Sequence, residues 1–141
     1  MQRTVERMLR TSPEPPFAPA DPLSACIHAC VECAQACTAC ADACVAEHER
    51  MLDACIRLNL DCADICAATS RILSRQLDPD PGVISMTLQL CAAVCDACAY
   101  ECSQHGAMHT HCDVCAAACR RCQDACRALL ATTVKPRRFH H

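Results

Sequence analysis

From residue 23 to residue 131 the apolar positions recur in steps of four and three, the repeat of a helix that buries one face. The clearest stretch is CIHACVECAQACTACADAC, whose seam falls at Cys26, Cys30, Cys33, Cys37, Cys40 and Cys44, in steps of 4, 3, 4, 3 and 4. A strand would need steps of two. The pattern predicts helix 1 from the Asp21-Pro22 step, read as N-cap and first helical residue, to about residue 45. Helix 2 is predicted over about 50–77, with seam Met51, Cys55, Leu58/Asn59, Cys62, Cys66, Thr69 and Leu73. Helix 3 follows over about 83–105, with seam Ile84, Leu88, Cys91, Cys95, Cys98 and Cys102. Helix 4 spans about 109–131, with seam Cys112, Cys115, Cys119, Cys122, Cys126 and Leu129. Asp78-Pro79-Asp80-Pro81-Gly82 separates helices 2 and 3, and Gly106 ends helix 3. The turn expected near 46–49 carries neither Gly nor Pro. Four amphipathic helices with short connections predict an all-α fold, an up-down-up-down four-helix bundle with a Cys-lined core.

Residues 1–22 read as an extension, with one or two helical turns over 4–10 and a Pro-rich linker through Pro13, Pro15, Pro16, Pro19 and Pro22. The bundle takes 23–132, and 133–141 is a basic tail. One domain suits 141 residues. Hydrophobic residues make up 52% of the chain but aromatics only 2%, so the apolar character rests on Ala and Cys. Such small residues bury little area each, which leaves room for metal to add folding free energy. A net charge of −3 gives no footprint for nucleic acid or an anionic membrane. No run reads as long and apolar enough to span a bilayer. The first residues, MQRTVERMLR, lack the apolar core of a secretory signal, which predicts a reducing, cytoplasmic setting.

Eighteen cysteines change the picture most. Disulfide scaffolds are loop-rich, whereas these thiols keep helical spacing. Sixteen form Cys-x-x-x-Cys pairs: 26/30, 33/37, 40/44, 62/66, 91/95, 98/102, 115/119 and 122/126; Cys55 and Cys112 are left over. On a helix, i and i+4 side chains lie about 5–6 Å apart at Cβ, close enough for two sulfurs to share a metal. Soft thiolates select Cu(I), Zn(II) or iron–sulfur clusters. Zinc wants four tetrahedral ligands, which one straight helix cannot supply, so it would need pairs from facing helices. Cu(I) accepts two or three thiolates, which the helical pairs favour. Zinc remains the alternative, in a metallothionein-like zinc or mixed-metal buffer.

The bundle's two ends are expected to differ. Leu73, Leu77, Ile84, Leu88, Leu129 and Leu130 gather as an apolar plug. The opposite end gathers His48, Met51, His105, Met108, His109 and His111 beside Cys55 and Cys112, a polar mouth for metal entry. Met51, His105, His109 and His111 are the candidate ligands there. His28 lies off the stripe and reads as exposed, and the carboxylates, including Glu101, read as a solvated face. Asn59 sits where helix 2 skips a cysteine, and its orientation is left open. The Glu-x-x-His pairing of di-iron bundles is missing, as are a catalytic triad and a phosphate loop, and many near-equivalent thiols do not resemble one activated nucleophile. A binding protein, not an enzyme, is expected.

CVECAQACTACADAC, IRLNLDCADIC, LCAAVCDACAYEC and HCDVCAAACRRCQDAC resemble the helices of the bacterial copper storage proteins, in the cytosolic branch, over roughly residues 23–131. The resemblance implies a four-helix bundle that fills its core with many Cu(I) ions per chain. It also implies a homotetramer, and a histidine-bearing opening where His105, His109 and His111 stand.

Overall fold

The computed structural model describes residues 2–132. Its elements are α1 (Gln2–Thr11), α2 (Ala20–Ala46), α3 (Asp53–Ser74), α4 (Pro81–Ser103) and α5 (Thr110–Ala131), with a 3-10 turn at Arg50–Leu52 leading into α3. Helices α2 to α5 form the expected up-down-up-down bundle. Each packs on its neighbour in chain order, and α5 closes the ring against α2. The bundle helices are about 33–40 Å long at 1.5 Å per residue.

Local chemistry sets the boundaries. Helix α2 starts slightly earlier than expected, with Pro19 as its cap. Asp21 falls in the first turn, where a carboxylate suits the helix dipole. Pro22 also falls where no intrahelical N–H bond is required. Helix α3 stops at Ser74, three residues before the expected end, and Arg75 is extended. Helix α4 starts at Pro81 because Asp80 caps it, accepting a 3.1 Å hydrogen bond from the Val83 N–H. In the turn without Gly or Pro, His48 takes the left-handed conformation at φ 55°, which His tolerates better than most residues. Gly106 has no positive φ. It eases a close approach instead: a Cβ there would stand 3.2 Å from the Asp113 Cβ at the start of α5.

Residues 2–22 lie against the bundle. Helix α1 packs along α2, with Leu9 buried and Val5, Phe17 and Ala18 against the core. Glu6 and His28 meet at 2.8 Å, so His28 is covered by α1 and not exposed as expected. The Phe17 N–H donates to Gln76 Oε1 at 3.1 Å, and Gln76 Nε2 donates to the Leu73 carbonyl at 2.8 Å. These bonds strap the segment across the end where α3 finishes. Leu23, Leu73, Ile84, Leu88 and Leu129 are buried at that end. Leu77 is not part of the plug: it is 75% exposed, because α3 has already ended. The basic tail expected over 133–141 lies outside the described residues.

One expectation is corrected by α2 and α4. Both are long and apolar enough, by length and composition, to cross a membrane, with mean hydropathies of 1.2 and 1.6. Ala and Cys produce this: hydropathy counts each thiol as apolar, wherever it points. In the bundle those thiols point at one another.

Candidate metal centre

All eighteen cysteines are buried free thiols. The alternation of four and three steps keeps each row on the inward face of its helix, and the closed ring brings four rows together. The sulfurs stack in a column, with S···S contacts from 3.4 Å (Cys55–Cys102) to 4.0 Å (Cys30–Cys91) along its middle, the Cys26–Cys126 pair at one end and the Cys40/Cys44/Cys112 group at the other. A disulfide needs about 2.05 Å.

Within helices, the Cys33–Cys37 and Cys40–Cys44 sulfurs stand 3.9 Å apart and Cys62–Cys66 3.8 Å. Between helices the approach is as close: Cys37–Cys119 at 3.6 Å, and Cys33–Cys119, Cys66–Cys95 and Cys30–Cys122 at 3.7 Å. The unpaired Cys55 reaches Cys102 at 3.4 Å, and Cys112 reaches Cys44 at 3.8 Å. Cys26 joins Cys126 at 3.8 Å near the apolar end. Thiols from different helices meet in fours, including Cys30/Cys91/Cys122/Cys126, Cys33/Cys62/Cys66/Cys95 and Cys37/Cys98/Cys115/Cys119, with sulfurs within 4.8 Å of one another. A metal–thiolate bond of about 2.3 Å puts sulfurs about 3.8 Å apart around a tetrahedral ion and about 4.0 Å apart around a trigonal one. The column therefore already has metal-bearing dimensions.

Asn59 is fully buried within the column. Its Oδ1 accepts from Cys98 and Cys115 at 3.1 Å and from Cys102 at 3.5 Å; its Nδ2 donates to Cys55 at 3.5 Å. It takes the place of a missing thiol in the α3 row and presents polar atoms to four others. Thr69, at a second non-thiol position of the row, turns its hydroxyl back to the Ile65 carbonyl at 2.7 Å.

The mouth residues divide. His111 is joined to the column: its Nδ1 lies 3.4 Å from Cys40 Sγ and 3.6 Å from Cys112 Sγ. Its Nε2 pairs with Glu47 Oε2 at 2.9 Å. His109 is 9% exposed and pairs through Nδ1 with the same Glu47 oxygen at 3.1 Å. His105 pairs with Glu101 at 2.9 Å, one turn back on α4. Met51 is 58% exposed, and Leu52 beside it takes the buried position. Hydrogen bonding from His111, and then the charges of His109 and His111, hold the Glu47 carboxyl below its usual range. Asn59 and Glu47 are the two residues that cysteine spacing did not single out. A polar residue on a thiol seam is the sequence signal for the first. The second has no periodic signal, because it sits in a turn.

Burial pushes the Cys112 thiol up to about 11, and Cys44 upward as well, because the low-dielectric column disfavours an isolated thiolate. The unfolded chain releases such protons near 9.0 while the folded one retains them. The contribution of Cys112 to the stability of the metal-free protein is thus expected to fall as pH rises from about 9 to about 11. Denaturant melts at stepped pH check this; a flat profile contradicts it.

The sequence model described as Csp, copper storage protein, matches residues 20–131. The chain is similar to the copper storage protein Ccsp of Streptomyces lividans loaded with 10 copper equivalents, at 48% identity and a TM-score of 0.87, covering 92% of this chain and 99% of that one. It is also similar to copper storage protein 3 of Bacillus subtilis in its apo form, at 40% identity and a TM-score of 0.64, covering 74% of this chain and 95% of that one. A shorter match, 45% identical over 42 residues, joins it to the uncharacterised cysteine-rich protein YhjQ of Bacillus subtilis and spans 30% of this chain and 37% of that protein. A bundle whose core is lined with thiols, matched over residues 20–131, belongs to the copper storage protein family.

Proposed function

We propose that this chain is a cytoplasmic reservoir that binds many Cu(I) ions through its cysteines and converts no substrate. The observation that carries the reading is the column of eighteen buried thiols. All eighteen serve as ligands: the helical pairs, the cross-helix contacts, and Cys55 and Cys112 through their neighbours. His111 adds a nitrogen beside Cys40, Cys44 and Cys112, with which it forms one group of metal-ligand dimensions. His105 and His109 line the approach. Met51, on the outer surface, has no role in this reading. Residues 23–132 form the storage unit, and 1–22 and 133–141 are its extensions. The cytoplasmic placement follows the Streptomyces lividans protein loaded with five coppers, which is cytosolic.

Charge balance favours Cu(I) over the zinc alternative. One Cu(I) per thiolate leaves the core neutral. Four Zn(II) holding sixteen thiolates would leave about eight negative charges in a low-dielectric interior, each costing several kcal/mol. Reduced protein offered both metals together, then passed through a sizing column, is expected to retain copper near parity with cysteine and little zinc. Retention of zinc in preference to copper would overturn the reading.

A homotetramer is part of the proposal. Helix α4 turns Val83, Met86, Leu90 and Tyr100 outward along one stripe, each more than half exposed. An exposed apolar face of this kind suits contact between copies. Sedimentation of the native protein distinguishes a tetramer from a monomer.

A further inference from the structure

We propose that the thiol column has a side port between α2 and α5, a site where a low-molecular-weight thiol docks and exchanges Cu(I) with Cys40 and Cys115. The port rests on the copper reading given above and adds the chemical class of the carrier. A cavity of about 440 Å³ opens on this seam. Ala36, Ala39 and Ala43 of α2 line one side, Thr110 and Val114 of α5 the other, and Cys40 and Cys115 lie at its floor. Positions 36, 39 and 43 share one helix face, and alanine at each leaves a gap that longer side chains would fill. Cys40 lies about 9 Å along the helix from Ala46, the last residue of α2, so the cavity opens through the flank of the bundle.

The cover over the thiols agrees with this placement. Of the eighteen, only Cys40, Cys44 and Cys115 reach the surface at all, at 2%, 1% and 1%. Cys55 and Cys112, the first thiols of α3 and α5 after the turns, are at 0%. The two floor thiols also serve different layers. Cys40 contacts Cys44 and Cys112 at 3.9 Å, whereas Cys115 contacts Cys37 at 3.7 Å within the Cys37/Cys98/Cys115/Cys119 group. Exchange at the port therefore reaches the outermost ions and the layer beneath them. The ligand that takes copper from a thiolate is another soft thiolate. The cavity is of small-molecule size, which admits a thiol of tripeptide dimensions and shuts out a folded protein. Gln35 and Thr110, exposed at its rim, offer an amide and a hydroxyl to the peptide groups of such a thiol. In the exchange the incoming thiol gives up its proton as its sulfur bonds to the ion. Cys40 or Cys115 leaves that ion and takes up a proton. Copper stays Cu(I) throughout and no electron moves.

The port itself is tested on the reduced, metal-free, full-length protein with a brief substoichiometric pulse of iodoacetamide, read peptide by peptide by mass. Cys40 and Cys115 are expected to react more than fivefold faster than Cys55 and Cys112. The protein is then filled with Cu(I) and the copper counted, so a failure of the storage reading shows before any thiol is added. Glutathione is the probe, with a bulky Cu(I) indicator reporting release. Ala39→Leu, which narrows the cavity from an exposed position, is expected to slow glutathione-driven release more than fivefold at unchanged helicity and capacity. Ala39→Ser, which keeps the cavity open, is expected to release within fivefold of the wild-type rate. Alkylation of Cys55 or Cys112 within fivefold of Cys40 and Cys115, release from Ala39→Leu within fivefold of wild type, or equal slowing in Ala39→Ser would overturn the port.

Discussion

Filling this protein with Cu(I) is expected to raise its thermal unfolding midpoint by more than about 20 °C. The metal-free bundle is poorly provided with large apolar contacts. Its largest fully buried side chains are five leucines, Leu23, Leu52, Leu73, Leu88 and Leu129, and the remainder of the centre is chiefly sulfur and alanine. Thiol–thiol contacts at 3.4–4.0 Å are weak hydrogen bonds, and truncating one removes only a small apolar group. A bound ion replaces them with metal–sulfur bonds joining two, three or four helices. Structural thiolate sites contribute about 10 kcal/mol or more each, and about 1 kcal/mol moves the midpoint of a domain this size by roughly 2–8 °C. Several such ions exceed the stability of the whole apo fold. Calorimetry of apo and filled protein at the same pH measures the difference. Matching midpoints would mean that the metal sits on the surface and cross-links nothing.

The second large effect concerns capacity. Replacing Cys37 and Cys119 together with alanine is expected to lower the number of Cu(I) ions held per chain by about four. These two residues are shared by the groups Cys33/Cys37/Cys62/Cys119 and Cys37/Cys98/Cys115/Cys119. Cys37 contacts Cys33, Cys98, Cys115 and Cys119, and Cys119 also contacts Cys33. Their loss removes bridging sulfurs from two adjacent layers and divides the column. The same pair of changes at Cys26 and Cys126, at the apolar end, removes the single contact between them at 3.8 Å and is expected to cost about two ions. Copper counted after equilibration with a weak competing chelator gives both numbers. Equal losses in the two double variants would show that the ions bind pair by pair, with no sharing through the column.

The column was legible because thiols at steps of four and three leave little freedom: a helix must carry them on one face, and four such faces must meet. The apolar end was legible in Leu73, Ile84, Leu88 and Leu129 for the same reason, but not in Leu77. There the period continued past Ser74 although the backbone had already turned extended. The cross-helix partners were not legible. Cys55 and Cys112 have no i+4 thiol, and only packing shows that each borrows partners from another helix. Asn59 was ambiguous because position 59 shares its seam step with Leu58, and a one-residue difference in helix phase decides which points inward. Residues 1–22 read as an extension with a Pro-rich linker, and the packing of helix α1 on α2 carries no periodic signal. Its attachment rests on Leu9, Glu6 and Phe17, each meeting a partner distant in sequence. The mouth histidines were found by their chemistry, but their separate environments depend on Glu47, Glu49 and Glu101, which a period-based reading leaves on the solvated surface.

The most direct test of the central claim is a stepwise anaerobic titration of the fully reduced protein with Cu(I) against a strong competing chelator. A column that neutralises each thiolate with one ion predicts tight uptake to about one Cu(I) per cysteine, close to 18 per chain. Saturation at about four or five ions, one for each set of four thiols, would contradict it and return the protein to the zinc-like class of tetrahedral sites.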